Sequence, residues 1–400
     1  MGEAGLANDT LNGDTLYSDP YPIYARLRRE DPVTRFEGTH EFFVTRWNDC
    51  QTVGANNKVF GPSDSEKRPE ARVFGMPNVL SMSGPEHEAL RAGIDYEVQQ
   101  QRVDSYIEDM ARPIAIRYIE AIRERGEADL TQELFEPISV RLIGDLIGLG
   151  HIPNDTLQRW FHAINGGLQN IVAQDQKVWD RCDGAIAEID DVVGEMYEKA
   201  CAKPDRSLFS HVIHGGLPEG QRRSFEEIMP TMRVIILGGL QEPGHGAANA
   251  VYGILGDAHQ RTLMQSDPSA WALKAYDEGL RWIAPIGVTP RVAFQDFELA
   301  GTKIREGDSV AIILASANRD ETRWDNAERF EMDRKRKSHA AFGYRPHFCS
   351  GHYLSRAAGR IALEEAFTRL PDLRLATNKP VIAKGWRFRG VVNLPAEWNA

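Results

Sequence analysis

Phe342-Gly343-Tyr344-Arg345-Pro346-His347-Phe348-Cys349-Ser350-Gly351 is the stretch on which the reading of the fold turns. It sets a lone cysteine at the end of a Gly- and Pro-bearing loop, directly before a segment with helical spacing that runs to Leu370-Pro371. Backbone N–H groups and the helix dipole at such a start stabilise a thiolate. The flanking glycines let the backbone come close to a bulky flat partner. A buried structural cysteine at a helix start is the plainer alternative. Cys50, Cys182 and Cys201 are scattered without a C-x-x-C pair or zinc-ligand spacing, and read as small core residues.

Outward from this loop the chain is ordinary in composition. Its 400 residues carry a net charge of −11, with 42% hydrophobic and 26% charged residues, enough for a large core. No linker-like segment divides it, so residues 1–400 are expected to form a single domain. The longest apolar runs, such as Val234–Leu237, fall far short of the ~20 residues a membrane span requires. The first residues lack the basic and apolar regions of a secretory signal. The acidic balance argues against nucleic acid as a partner. A cytoplasmic location is expected.

The periodicity predicts a helix-dominated chain with a small β portion from about 31–60, 289–314 and 373–398. Pro20 to Glu30 reads as a short helix and Gly61 to Met82 as a long loop. Ser83-x-x-Glu86 reads as a capping box opening a helical region that extends to about Lys203. Glu226 to Leu255 reads as one long apolar helix, interrupted by Gly238-Gly239 and Pro243. Pro268 to Ile283 forms another. Period-two alternation then places strands around Val292–Phe294 and Val310–Leu314, and thin strands at Trp386–Phe388 and Val391–Leu394.

The cysteine loop, F-G-x-x-x-H-x-C-x-G, resembles the haem-binding loop of soluble bacterial cytochromes P450. The resemblance implies that fold, mainly α with a small β portion, and haem b (iron protoporphyrin IX) bound through Cys349 as thiolate ligand. Phe342, His347 and Gly351 occupy further loop positions, and Arg345 stands where the family usually has glycine. Glu278 and Arg281, three apart on one helix face, match the family's Glu-x-x-Arg pair. Arg334 is its expected third member and Arg329 the alternative. His87 and Arg91, with His347 and Arg291, fall where the family holds the haem propionates.

The central helix should cross the haem's oxygen-binding face. The family commonly places an acid and an alcohol there; this chain has Glu242 followed by Pro243. Two routes are open: protons reach dioxygen through water, Glu242 and freed carbonyls, or peroxide replaces dioxygen. Family peroxygenases precede that proline with arginine, which holds a fatty-acid carboxylate; Glu242 would repel it. Gln241-Glu242-Pro243-Gly244-His245-Gly246 further resembles a narrow branch, the aromatic O-demethylases acting on guaiacol and 4-alkylguaiacols. So do Glu278–Trp282, Leu363–Glu365 and Gly385–Gly390.

That branch implies oxidative demethylation of a small methoxy-arene to a catechol and formaldehyde, with dioxygen and two electrons. Substrate contacts are expected from Phe74, Leu80, Leu168, Val234, Gly238, Ile286, Val288, Thr289 and Phe388, almost all apolar. The electrons require a separate flavin or iron–sulfur reductase, docking near Arg345, Arg356 and Arg360. The alternatives are a P450 hydroxylase of another small apolar substrate, such as a terpene, or a non-catalytic haem-thiolate binding protein.

Overall fold

The computed structural model describes residues 11–62, 68–170, 173–205, 207–240 and 242–400. Its described residues fall into two compact units. The first comprises the described residues within Met1–Ser63, His245–Cys349 and Asp372–Glu397; the second comprises those within Asp64–Gly244, Ser350–Pro371 and Trp398–Ala400.

The first unit opens with α1 (Gly13–Ser18), α2 (Tyr21–Glu30), β1 (Val33–Phe36), β2 (Glu41–Val44), α3 (Trp47–Ala55) and β3 (Phe60–Gly61). The second follows with α4 (Pro69–Phe74), α5 (Gly84–Val98), α6 (Gln100–Arg123), β4 (Glu127–Asp129) and a π-helical turn, Thr131–Phe135. It continues through α7 (Glu136–Leu146), α8 (Asn154–Gln169), α9 (Gln176–Ala202), α10 (Leu208–His214) and α11 (Phe225–Leu240). The helix α12 (Glu242–Gly256) leads into α13 (Ala258–Ser266), α14 (Pro268–Trp282), β5 (Val288–Ala293), β6 (Phe297–Leu299), β7 (Thr302–Ile304), β8 (Ser309–Ile313) and α15 (Leu314–Ala317). Last come α16 (His352–Arg369), β9 (Arg374–Leu375), β10 (Ile382–Lys384), β11 (Gly390–Asn393) and β12 (Pro395–Glu397).

A five-stranded sheet, ordered β1-β2-β8-β5-β3, organises the first unit. Only β2 and β8 run parallel; the other neighbours are antiparallel. The central strand β8 is apolar on both faces, because both are covered. Val310 and Ile312 join a core with Val33, Val44, Cys50 and Phe60, while Ala311 and Ile313 join Leu27, Phe36, Phe43 and Trp386. In the second unit α6 lies against α16, α8 against α9, α5 against α10 and α7 against α11. The α6–α16 seam is laced with charge: Arg112 bonds Glu364 and Glu365, and Arg369 bonds Glu120 at 2.8 Å and Glu365 at 2.6 Å.

Several expectations change. Ser83 stands at the N-cap of α5, yet its side chain makes no capping bond, so the capping box is not formed. The expected 61–82 loop contains α4, which Pro69 opens at a position where the missing N–H costs nothing; residues 63–67 lie outside the described residues. Over the expected central helix the described residues are helical on both sides of Gln241, as α11 up to Leu240 and α12 from Glu242; Gln241 itself lies outside the described residues. The predicted strand at Trp386–Phe388 reduces to a single bridge, Ile286 with Phe388. Phe294 lies past the end of β5 with its ring exposed, and Leu314 begins α15.

Candidate active site

In the first unit the cysteine loop is shaped by its glycine and one backbone bond. Gly343 takes a φ of +72°, a left-handed value that a side chain would strain. The Cys349 N–H donates to the Phe342 carbonyl at 2.9 Å. The Phe342 ring lies tilted against His339 at 5.5 Å and meets Phe348 edge-on at 6.3 Å. None of the cysteines is disulfide-bonded; Cys50 and Cys182 are buried and Cys349 is exposed. Cys201, expected in the core, is only half-buried on α9.

Glu278 and Arg281 sit on the last turns of α14, both buried. Arg281 grips the carboxylate with two bonds, 2.7 and 2.8 Å, and donates to the carbonyls of Asn318, Ala327 and Arg329. The Arg334 guanidinium reaches Glu278 at 3.4 Å and binds the carbonyls of Asp325, Asn326 and Arg329. The structure thus brings Arg334 into the cluster. The Arg329 side chain is exposed and pairs with Asp257 at 3.1 Å. Because α14 ends here and the chain after α15 winds without regular structure, these guanidinium bonds take up carbonyls that no helix or strand satisfies.

Ten residues beyond Arg281, Arg291 on β5 is equally buried but differently served. It donates to the Pro290 carbonyl at 2.8 Å, and no carboxylate of the described residues pairs with it. Burial pushes its pKa down to about 10. A buried cation in this state is built for an anionic ligand. In the same unit Ile286 and Phe388 are bridged, flanked by Gly287 N–H to Arg387 carbonyl (2.7 Å) and Arg389 N–H to Pro285 carbonyl (2.9 Å). A Cβ on Gly287 would stand 2.2 Å from the Trp386 carbonyl, so only glycine permits this approach.

Sequence reasoning missed Asn249. Fully buried on α12, its amide donates to the Ile283 carbonyl and accepts from Val391 N–H, both at 2.9 Å. It ties together the stretches that lead to Ile286 and away from Phe388. The available signal was a single amide inside the apolar run Ala247-Ala248-Asn249-Ala250-Val251.

In the second unit His87 and Arg91 lie one turn apart on α5. His87 is buried; burial first, and then the Arg91 charge, hold its imidazole below the usual value. Arg91 donates through its Nε to Asp95 at 3.1 and 3.3 Å. Gly351 stands at the N-cap of α16. His352 in the first turn shares a 3.1 Å bond with Arg356, and burial together with that charge pushes its pKa down to about 4.

Glu242 and Pro243 are the first described residues of α12, directly after Gln241, which lies outside the described residues. Glu242 is partly covered as a residue, but its Oε2 is shut off from solvent and has no hydrogen-bond partner among the described residues. Burial pushes its pKa up to about 8, which leaves a neutral acid holding a proton at neutral pH. A Cβ on Gly244 would come within 2.6 Å of the Phe135 carbonyl, so this glycine lets the start of α12 lie against the beginning of α7.

Among the expected substrate contacts, Phe74, Leu168 and Val288 are buried, and Val234, Ile286, Thr289 and Phe388 are half-buried. Leu80 (49% exposed) and Gly238 are exposed. Of the docking arginines, Arg345 is exposed, but Arg360 is committed to Glu108 and Glu364.

The sequence pattern of the cytochrome P450 family matches residues 273–370, the span holding Glu278, Arg281, Arg334 and Cys349. A steroid C26-monooxygenase of Mycolicibacterium smegmatis is 31% identical over 377 residues, covering 93% of this chain and 91% of its own. This chain belongs to the cytochrome P450 family. The P450 monooxygenase PikC of Streptomyces venezuelae is 27% identical over 403 residues, with 97% and 93% coverage. The P450 PksS of the Bacillus subtilis bacillaene synthase shares the fold, with a TM-score of 0.84, 22% identity, and 97% and 99% coverage.

A P450 monooxygenase binds haem b through a thiolate and uses dioxygen with a separate redox partner. The residues present fit that group: an exposed Cys349, and in Arg291 a buried cation that no carboxylate among the described residues pairs with. No helix among the described residues is long and apolar enough to cross a membrane.

Proposed function

We propose that this P450 O-demethylates small methoxy-arenes of the guaiacol or 4-alkylguaiacol type. The observation that carries the reading is Glu242-Pro243-Gly244-His245-Gly246, an acid kept and an alcohol replaced by proline. Haem, when bound to Cys349, supplies the oxidising chemistry: methyl ether, dioxygen, two electrons and two protons give phenol, formaldehyde and water. Arg291, His87, Arg91 and His347 hold the propionates, with Phe342 and Gly351 beside the ligand loop. Glu242 keeps a proton at neutral pH for delivery.

Phe74, Leu168, Val234, Ile286, Val288, Thr289 and Phe388 hold the ring by apolar contact and orient its methoxy group. A free carboxylate on the substrate finds no cation among these residues and is disfavoured. Electrons come from a flavin or iron–sulfur reductase in the cytoplasm; Arg345 and Arg356 remain as its contacts. The second reading, hydroxylation of a larger apolar molecule, draws on relatives named for steroids and for the macrolide mycinamicin.

The test is an optical titration of the ferric holoenzyme with guaiacol, 4-propylguaiacol, 4-methoxybenzoate, a terpene and a steroid. A low- to high-spin shift with the guaiacols alone, followed by stoichiometric formaldehyde on turnover, is the expected result. A shift confined to the terpene or steroid replaces this substrate with the second reading.

A further inference from the structure

The segment between α4 and α5 is fastened to α11 by specific side chains. Arg233 donates to the Phe74 carbonyl at 3.0 Å while its other nitrogens grip Asp190 on α9. Two residues earlier, the Thr231 hydroxyl accepts the Val79 N–H at 3.0 Å. Asn78 closes the turn between them, accepting from the Leu80 and Ser81 N–H groups and donating to the Gly75 carbonyl.

Gly75 is forced at this point. Its φ is +80°, and a Cβ there would stand 3.2 Å from the Arg233 guanidinium. The carbonyl that Arg233 binds belongs to the last residue of α4, one that this short helix leaves without an intrahelical donor. Arg233 is mostly buried, at 15% exposure of its side chain, so the bond is poorly screened by solvent.

We propose that Arg233 is a positioning residue for substrate recognition: bonded to Asp190, it sets the place of the Phe74 backbone and hence of its ring. The assignment rests on the reading of Phe74 as a substrate contact. Lysine is not equivalent here, because only a planar guanidinium serves a carboxylate and a carbonyl in different directions at once.

Hydrogen exchange of the substrate-free holoenzyme over residues 74–82 tests the fastening itself. Arg233→Ala should speed exchange there about tenfold, Asp190→Asn by less, and Arg233→Lys should restore part of the protection. Spectral titration and turnover test the consequence: Arg233→Ala should raise Kd and KM for guaiacol about tenfold with kcat within about twofold. Unchanged exchange at 74–82, or a fall in kcat with KM unmoved, overturns the proposal. Should the wild type bind no guaiacol, the demethylase reading fails, and the exchange data alone decide whether Arg233 places Phe74. If Arg233→Ala fails to fold, Asp190→Asn and Arg233→Lys carry the same two readouts.

Discussion

Arg281 and Arg291 stand ten residues apart in one unit, 1% and 5% exposed, and are opposites in every other respect. Arg281 has a bidentate carboxylate and three carbonyls; Arg291 has the carbonyl of its own neighbour. The first is a finished piece of architecture, its charge cancelled by protein. The second is an unfinished one, held where only an outside anion can complete it. The same residue type, equally buried, is structural or functional according to whether the protein itself provides the counter-charge.

The strongest way to break that contrast is to remove a partner from each. Glu278→Gln leaves Arg281 and Arg334 facing a neutral amide and should cost about 3–5 kcal/mol. Urea unfolding should show this with and without haem. Arg291→Met should do the reverse: the haem-free chain keeps its stability or gains about 1 kcal/mol, as an uncompensated buried charge disappears. Haem retention should weaken about tenfold or more, read by transfer to apomyoglobin. Equal losses of haem-free stability in the two variants would abolish the distinction.

Glu242 sharpens the comparison with the opposite sign of charge, since its pKa is raised from 4.5 to about 8 by burial alone. Between those values the folded chain keeps a proton that the unfolded chain releases. Stability from the neutral acid is therefore complete below the lower value and declines as pH rises through the upper one. Glu242→Gln cannot titrate. The wild type should lose on the order of 1–3 kcal/mol relative to the variant across this window, measured by urea midpoints at successive pH. Parallel profiles would mean that Glu242 is charged at neutral pH and solvated.

These regions were unequally legible in the sequence. Glu278 and Arg281 could be paired from spacing, because three residues along a helix is a fixed displacement. The third member, 56 residues from Glu278 in a segment without period, could only be narrowed to Arg334 or Arg329; the path of that segment selects Arg334. The acid–proline pair was readable from the sequence, yet only the fold shows that the Glu242 carboxyl is shut off from solvent. Ser83 looked like a capping side chain and is not one. Arg360 looked like a surface charge, and Glu108, 252 residues away, takes it up.

By itself the sequence determined the family, the thiolate loop, the helical pairs and the mainly α character, all of which rest on residues close along the chain. The tertiary structure decided which charges are matched and which are open. Asn249 between Ile283 and Val391, Arg233 between Phe74 and Asp190, and Arg291 with no carboxylate beside it among the described residues are matters of which distant segments meet. A charge or an amide acquires its role from what burial removes and what the fold brings back, and neither is written in local spacing.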